Sequence, residues 1–182
     1  MRVLLMPRWG GTAGSDWYPW LVNELDVPVS VVELDRPDAP TIEVCVDQLR
    51  SELAGDASRT CLVGHSVSCL AIVHLLATLP ESSVPAAVFV AGWWTIDAPW
   101  KTIRPWIDTP VDTARARRAV GESHVLLSDD DPFTSDARST QRNWRDRMGS
   151  NVQIEPGGAH FNRAQENAVR DLVVKVVRRM EP

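Results

Sequence analysis

A serine stands within residues 64–68, GHSVS, a pattern close to the Gly-x-Ser-x-Gly turn that presents nucleophilic serines. The last position holds Ser68 instead of glycine, but that position needs a small side chain more than it needs glycine itself. Serine is also a favoured N-cap residue, and the residues after Ser66 have helical spacing. The motif alone leaves two interpretations for Ser66, a nucleophile or a helix cap, and its partners must decide between them.

A nucleophilic serine needs a base, which is usually a histidine oriented by a carboxylate. Three of the four histidines are poor candidates, because His65 adjoins the serine on a tight turn, His74 lies along the following helix and His124 begins a strand. His160 follows two glycines between the last apolar strand and the last helical stretch. A loop of this kind can present an imidazole over the edge of a sheet, so His160 is the predicted base.

The carboxylate is expected in the loop after the preceding strand, where Asp129, Asp130 and Asp131 follow the apolar run 125–127. An acidic run is commonly a solvated turn that caps the next helix. With the serine before it and His160 after it, one aspartate is predicted to orient the histidine. Asp131 is the first choice and Asp130 the second, and position alone does not separate them.

Two backbone N–H groups are predicted to form an oxyanion hole. One is the N–H of Val67, which follows the serine at a helix start. The other comes from the glycine-containing loop after the first strand, from either Trp9 or Gly10. A phosphate-binding loop is disfavoured, because residues 10–14 lack both the Gly-Lys-Ser/Thr ending and the Gly-x-Gly-x-x-Gly spacing.

Short apolar runs alternate with amphipathic stretches along the chain, which predicts an α/β fold. Strands are predicted at 3–6, 29–34, 60–63, 87–91, 124–127 and 152–154, and helices at 16–24, 41–54, 67–78, 135–148 and 162–179. The pattern indicates a parallel sheet of about six strands with helices on both faces. The serine, the aspartates and His160 then all follow strands, so they meet at the carboxyl edge of the sheet.

Composition favours one domain over residues 1–182, with 44% hydrophobic residues and a formal charge of −5. There is no long basic stripe, which argues against a nucleic-acid partner. No apolar run is long enough for a membrane span or a signal peptide. Cys45, Cys61 and Cys69 have no metal-ligand spacing and lie in apolar patterns, so buried reduced thiols, a cytoplasmic location and no metal are expected.

Residues 92–121 form a long irregular segment that is rich in proline and tryptophan. Such loops are often functional, and this one is expected beside the carboxyl edge of the sheet. Its tryptophans are predicted to form an apolar or aromatic acyl pocket, the commoner alternative being that they pack the loop onto the sheet. The candidate substrate-binding residues are Arg8, Trp17, Trp93, Trp94, Trp100, Trp106 and Phe161.

Four stretches together resemble the small α/β-hydrolase family that includes the animal retinoblastoma-binding serine hydrolase and many short bacterial relatives. They are Met6–Gly11 with Asp16–Trp20, Val63–Ser66, Ser128–Phe133 and Gly158–Asn162. They occur in order, at similar spacing, over nearly the whole chain. The resemblance implies an α/β-hydrolase fold without a large cap domain, and no metal or organic cofactor.

The same resemblance implies roles for three side chains. Ser66 is the nucleophile, His160 the base, and Asp131 the acid, since it directly precedes Pro-Phe. Arg8 stands where many members have glycine, and it is suited to an anionic substrate group. The Leu-x-Cys-x-Glu motif of pocket-protein binding is absent, so that partner is not expected.

The expected function is a serine hydrolase that acts on an ester, thioester or amide through an acyl-enzyme on Ser66. Its partner would be a small-molecule acyl substrate, either free or bound to a carrier or to CoA. An acyltransferase or cyclase of a biosynthetic pathway could use the same three residues. A catalytically inactive binding protein is the alternative of another class, disfavoured because all three chemical groups are retained.

Overall fold

The six strands form one sheet in which every neighbouring pair is parallel, in a computed structural model that describes residues 1–180. The spatial order is β2-β1-β3-β4-β5-β6. The strands are β1 Arg2–Met6, β2 Val29–Val31, β3 Thr60–His65, β4 Val84–Val90, β5 Val120–Ser128 and β6 Asn151–Glu155. The predicted six-stranded parallel sheet is therefore confirmed.

Seven α-helices lie between and after these strands within residues 1–180. They are α1 Tyr18–Glu24, α2 Ile42–Leu53, α3 Ser68–Leu76, α4 Arg104–Asp108, α5 Thr113–Ala119, α6 Ala137–Met148 and α7 Asn167–Arg179. Side-chain oxygens cap three of them, from Thr41 at α2, Asp112 at α5 and Asp136 at α6. Each cap satisfies a backbone N–H that has no acceptor within its own helix.

Alternate residues of the strands face two separate apolar layers. Leu4 and Leu62 lie in the layer packed under α2, α3, α5 and α6, whereas Val3 and Val63 lie in the layer under α1 and α7. All six residues of β3 are buried, as expected for a strand covered on both faces. The prediction of helices on both faces is confirmed.

The segment 92–121 is more ordered than its sequence predicts, because it contains α4, α5 and the start of β5. Pro105 lies in the first turn of α4, and the Asp112 side chain accepts the N–H of Arg115 to begin α5. Helices of 5 and 7 residues are too short to show a clear hydrophobic period. Among residues 1–180, no helix has the length and apolarity that a bilayer crossing requires.

Candidate active site

The turn between β3 and α3 holds Ser66 in the left-handed region, with φ 59°. L-residues other than glycine rarely adopt this conformation, and it persists where the surrounding structure compensates for it. The Ser66 N–H donates to the carbonyl of Val90 at 2.8 Å, and the Ser66 carbonyl accepts the N–H of Cys69 at 3.0 Å. A Cβ at Gly64 would lie 2.8 Å from Ile72 Cδ1, so the first glycine of the motif allows α3 to pack closely on β3.

Ser66 and His160 lie within hydrogen-bond distance, with Ser66 Oγ 2.9 Å from His160 Nε2. On the other side of the ring, His160 Nδ1 is 2.8 Å from Asp131 Oδ2. Because a carboxylate only accepts, Nδ1–H donates to Asp131 and Nε2 is free to accept the Ser66 proton. Ser66 makes no side-chain cap to α3, so within the described residues nothing supports the helix-cap interpretation.

The adjacent aspartates have different partners, a distinction that position alone could not make. Asp131 faces His160, and its other oxygen accepts the N–H of Phe133 at 2.9 Å. Asp130 accepts the Ser128 hydroxyl at 2.5 Å and the Ala159 N–H at 2.7 Å. These two hydrogen bonds lower the pKa of Asp130, and the hydrogen bond from the Ser128 hydroxyl has the larger effect. The loop that carries His160 spans residues 156–166, between β6 and α7, and is here called the histidine loop. Asp130 therefore holds the backbone of this loop instead of the imidazole.

A largely buried chain of hydrogen bonds connects the loop between β1 and α1, residues 7–17 and here called the first loop, to the histidine loop. The Arg8 N–H donates to the Tyr18 hydroxyl at 3.0 Å, and that hydroxyl lies 2.7 Å from His65 Nδ1. His65 Nε2 lies 2.8 Å from the His160 carbonyl oxygen, which can only accept. The carbonyl therefore fixes the proton of His65 on Nε2, and Tyr18 donates to Nδ1. Burial, together with the nearby His160, lowers the pKa of His65 well below its usual value, so the ring is neutral.

The candidate oxyanion donors differ in whether their N–H groups are free. The Gly10 N–H donates to the Pro37 carbonyl at 2.7 Å, and the Gly11 N–H donates to the Arg8 carbonyl at 2.9 Å. Within residues 1–180, neither the Val67 N–H nor the Trp9 N–H has an acceptor. The sequence left Trp9 and Gly10 as alternative donors from the first loop. The Gly10 N–H is used by the Pro37 carbonyl, so the Trp9 N–H is the remaining candidate.

A cavity of about 130 Å³ opens beside Ser66 and His160. Its lining is largely apolar, as is usual for small-molecule sites. The lining residues are Arg8, Trp9, Ser66, Val67, Trp93, Ile96, Trp100, Ile103, Phe133, His160 and Asn162. Ile96, Ile103, Phe133 and Asn162 had not been proposed from the sequence, although the last two belong to the motif stretches around Asp131 and His160.

Four predicted substrate-binding residues lie outside this lining: Trp17, Trp94, Trp106 and Phe161. Trp17 is fully buried and donates its indole N–H to the Phe161 carbonyl at 2.9 Å. Trp94 packs against Trp144, with ring centroids 5.0 Å apart. Trp106 is buried in the apolar layer that also contains residues of α2 and α3. These side chains pack their loops onto the sheet, which is the alternative considered for the tryptophans.

Arg8 lines the cavity, but its guanidinium already has partners. Nε lies 2.7 Å and Nη2 3.1 Å from the two carboxylate oxygens of Asp16. Nη1 donates to the Trp9 carbonyl at 2.9 Å. An anionic substrate group would share the guanidinium with Asp16, so Arg8 serves here first as a tie within its own loop.

The cysteines are free and buried, and burial raises the pKa of Cys45 and Cys61 to about 12. A thiol with so high a pKa carries almost no thiolate at neutral pH and is a poor nucleophile. Over the described part of the chain, no group of three or more His, Cys, Asp or Glu side chains could hold a metal ion. Ser66 is thus the better nucleophile candidate.

A family model described as "Serine hydrolase" matches residues 3–177. The ydeN gene product from B. subtilis has the same fold, with 19% identity, 96% of this chain and 97% of that chain covered, and a TM-score of 0.84. A protein described as a YdeN-like hydrolase from Pectobacterium atrosepticum is 16% identical, with 100% of this chain and 94% of that chain covered and a TM-score of 0.74. A structure from work on carboxylesterases of Nitrososphaera gargenis is 12% identical, with 98% of this chain and 90% of that chain covered and a TM-score of 0.73. No curated protein matches the sequence.

The neutral state of buried His65 predicts an acid-dependent loss of stability. Below a pH of about 6.5 the unfolded chain binds a proton at His65 that the folded chain does not, so the free energy of unfolding falls as the pH falls. The expected loss is about 1.4 kcal/mol per pH unit below that pH. Urea unfolding between pH 7.5 and 5 measures it, and His65→Gln should remove this contribution.

His74→Gln is the matched control, because His74 is only partly buried and its pKa is lowered less markedly. It should leave most of the pH dependence in place. Equal pH dependence in the wild type and in His65→Gln would contradict the neutral, doubly hydrogen-bonded His65.

Proposed function

This chain belongs to the serine hydrolase family, and from that premise we propose that it cleaves a carboxylic ester, thioester or amide through an acyl-enzyme on Ser66. The observation that carries the proposal is the unbroken series from Asp131 through His160 to Ser66, with distances of 2.8 and 2.9 Å, at the wall of an apolar cavity. Nucleophile, base and orienting carboxylate then stand in the geometry that acyl transfer needs.

In the proposed acylation, Ser66 Oγ attacks the substrate carbonyl carbon while its proton passes to His160 Nε2. The carbonyl electron pair moves onto the oxygen, which takes hydrogen bonds from the N–H groups of Val67 and Trp9. Asp131 accepts Nδ1–H and stabilises the imidazolium. The imidazolium then returns the proton to the leaving group as its bond to the carbonyl carbon breaks, which leaves an ester on Ser66.

In the proposed deacylation, water takes the place of the leaving group. His160 Nε2 accepts a proton from the water as its oxygen attacks the acyl carbon, and the same two N–H groups bind the second oxyanion. Collapse of this intermediate breaks the bond to Ser66 Oγ, which regains its proton from His160. An amine or alcohol in place of water would give acyl transfer or cyclisation, and product analysis separates these outcomes.

The cavity supports a small uncharged acyl group as the substrate. Its walls are mainly indole, phenyl and branched aliphatic groups, and its one cation, Arg8, is paired with Asp16. Trp100 is 43% exposed and stands between Trp9 and Phe133, with ring centroids 6.2 Å from each. These three rings narrow the space beside Ser66, so short acyl chains should fit better than long ones.

The nucleophile assignment predicts covalent labelling by a fluorophosphonate. The wild type should gain one phosphonyl group per chain, on Ser66, whereas Ser66→Ala should gain none. Intact-protein mass spectrometry followed by peptide mapping measures both. Ser123→Ala is the matched control, since Ser123 is a buried serine on β5 that pairs with Ser150 and lies outside the cavity lining. Equal labelling of the wild type and Ser66→Ala would contradict the proposal, as would a label on a residue other than Ser66.

The two candidate acids predict unequal effects on hydrolysis of p-nitrophenyl acetate. In Asp131→Asn the amide N–H₂ would donate to Nδ1 and leave the proton on Nε2, which could then not accept from Ser66. A loss of roughly 10⁴ in kcat is expected. Asp130→Asn keeps an oxygen that can accept from Ser128 and Ala159, so it should retain most of the activity. A larger loss for Asp130→Asn would reverse the assignment.

The three-ring constriction predicts that Trp100→Ala relaxes acyl-chain selectivity. Removing the indole widens the cavity, so kcat/KM for p-nitrophenyl octanoate should rise roughly tenfold relative to that for the acetate. Trp20→Ala is the control, because Trp20 packs against Arg170 outside the cavity lining and should leave the ratio unchanged. An unchanged ratio in Trp100→Ala would show that this ring does not set the acyl length.

A further inference from the structure

We propose that Ser68 is a positioning residue for the oxyanion hole. Its hydroxyl donates to the carbonyl of Pro7 and so holds the loop that carries the Trp9 N–H. This inference rests on the proposed function, since it assigns work to the same site. It also gives a role to the residue at which the GHSVS motif departs from the glycine pattern.

The contact joins two segments that are far apart in sequence. Ser68 is 1% exposed and opens α3, two positions after Ser66. Pro7 directly follows β1, and as a proline it has no N–H, so its carbonyl is its only polar backbone group. A buried carbonyl needs a donor, and the Ser68 hydroxyl supplies one from the nucleophile's own turn.

The remaining ties of the first loop show why this one matters. The Arg8 N–H donates to the Tyr18 hydroxyl, and the Gly10 N–H donates to the Pro37 carbonyl. The indole N–H of Trp9 donates to the Asp38 carbonyl at 2.8 Å. Each of these ties attaches the loop to a segment other than the turn of Ser66. The Ser68 hydrogen bond is the tie that fixes the loop directly to that turn, which carries the other oxyanion donor, the N–H of Val67.

The spacing of two donors decides how well they bind one oxygen. An oxyanion hole works when its N–H groups stand about 2.7–3.1 Å from the position of the oxyanion, and deletion of one donor costs roughly 10²–10³ in kcat. Loss of the Ser68 tie would loosen the Trp9 N–H without deleting it, so a smaller loss is expected. Glycine at position 68 could not make this contact, and a chain with glycine there must hold its loop in another way.

The test compares Ser68→Ala with Ser68→Thr and with Ser123→Ala. Ser68→Ala should lower kcat for p-nitrophenyl acetate roughly 10- to 100-fold with little change in KM, because the hydrogen bonds at stake form in the transition state. Ser68→Thr keeps a hydroxyl and should recover most of the rate. Ser123→Ala removes a buried hydroxyl on β5 and should keep the wild-type kcat.

A second measurement keeps the test decisive if the threonine variant does not fold. In ¹H–¹⁵N spectra the Trp9 amide signal should shift or broaden in Ser68→Ala and stay in place in Ser123→Ala. An unchanged kcat together with an unchanged Trp9 signal in Ser68→Ala would overturn the proposal and make Ser68 a space-filling residue. Absence of phosphonylation at Ser66 in the wild type would instead overturn the proposed function, and the amide signal would still decide whether Ser68 positions the loop.

Discussion

The backbone at Ser66 is held at φ 59°, and much of the site depends on this single constrained residue. The conformation turns the chain directly from β3 into α3, so the side chain of Ser66 and the free N–H of Val67 both lie at the carboxyl edge of the sheet. Such a conformation is costly for a residue with a Cβ, and it must be compensated by the surrounding packing. The bond from the Ser66 N–H to the Val90 carbonyl and the close contact of α3 at Gly64 provide that compensation.

The histidine loop is held in place by carboxylates that accept its backbone N–H groups. Asp129 accepts the N–H of Gly157 at 2.9 Å, and Asp130 accepts the N–H of Ala159 at 2.7 Å, so two carboxylates of the run hold backbone while Asp131 holds the imidazole. Gly157 has φ 66°, a conformation that favours glycine. The acidic run and the glycine-containing loop are thus two halves of one structure, and neither is only a solvated turn.

Six parallel strands, helices on both faces of the sheet, and the positions of Ser66, Asp131 and His160 after strands could be predicted, because apolar runs and turn residues are local features of the sequence. Other features depend on partners distant in sequence. The Gly10 N–H is engaged by the Pro37 carbonyl, which no pattern near Gly10 reveals. Asp130 and Asp131 differ in the direction of their side chains, which spacing does not encode. Trp17 is a packing residue because its indole N–H meets the Phe161 carbonyl across the fold.

The first loop combines these effects, because it is attached on two sides of the site. Through Tyr18 and His65 its Arg8 N–H is connected to the carbonyl of His160, and through Ser68 its Pro7 carbonyl is connected to the turn of Ser66. Electrostatic catalysis needs donors that are already in place when the oxyanion forms, because a loop that reorients during the reaction gives back part of the stabilisation. In the proposed mechanism the loop after β1 meets that need through its hydrogen bonds to Tyr18, Ser68 and Pro37. Along the connection through Tyr18 and His65, the hydrogen bond from the Tyr18 hydroxyl to His65 Nδ1 needs a neutral ring, because a protonated Nδ1 has no lone pair with which to accept it.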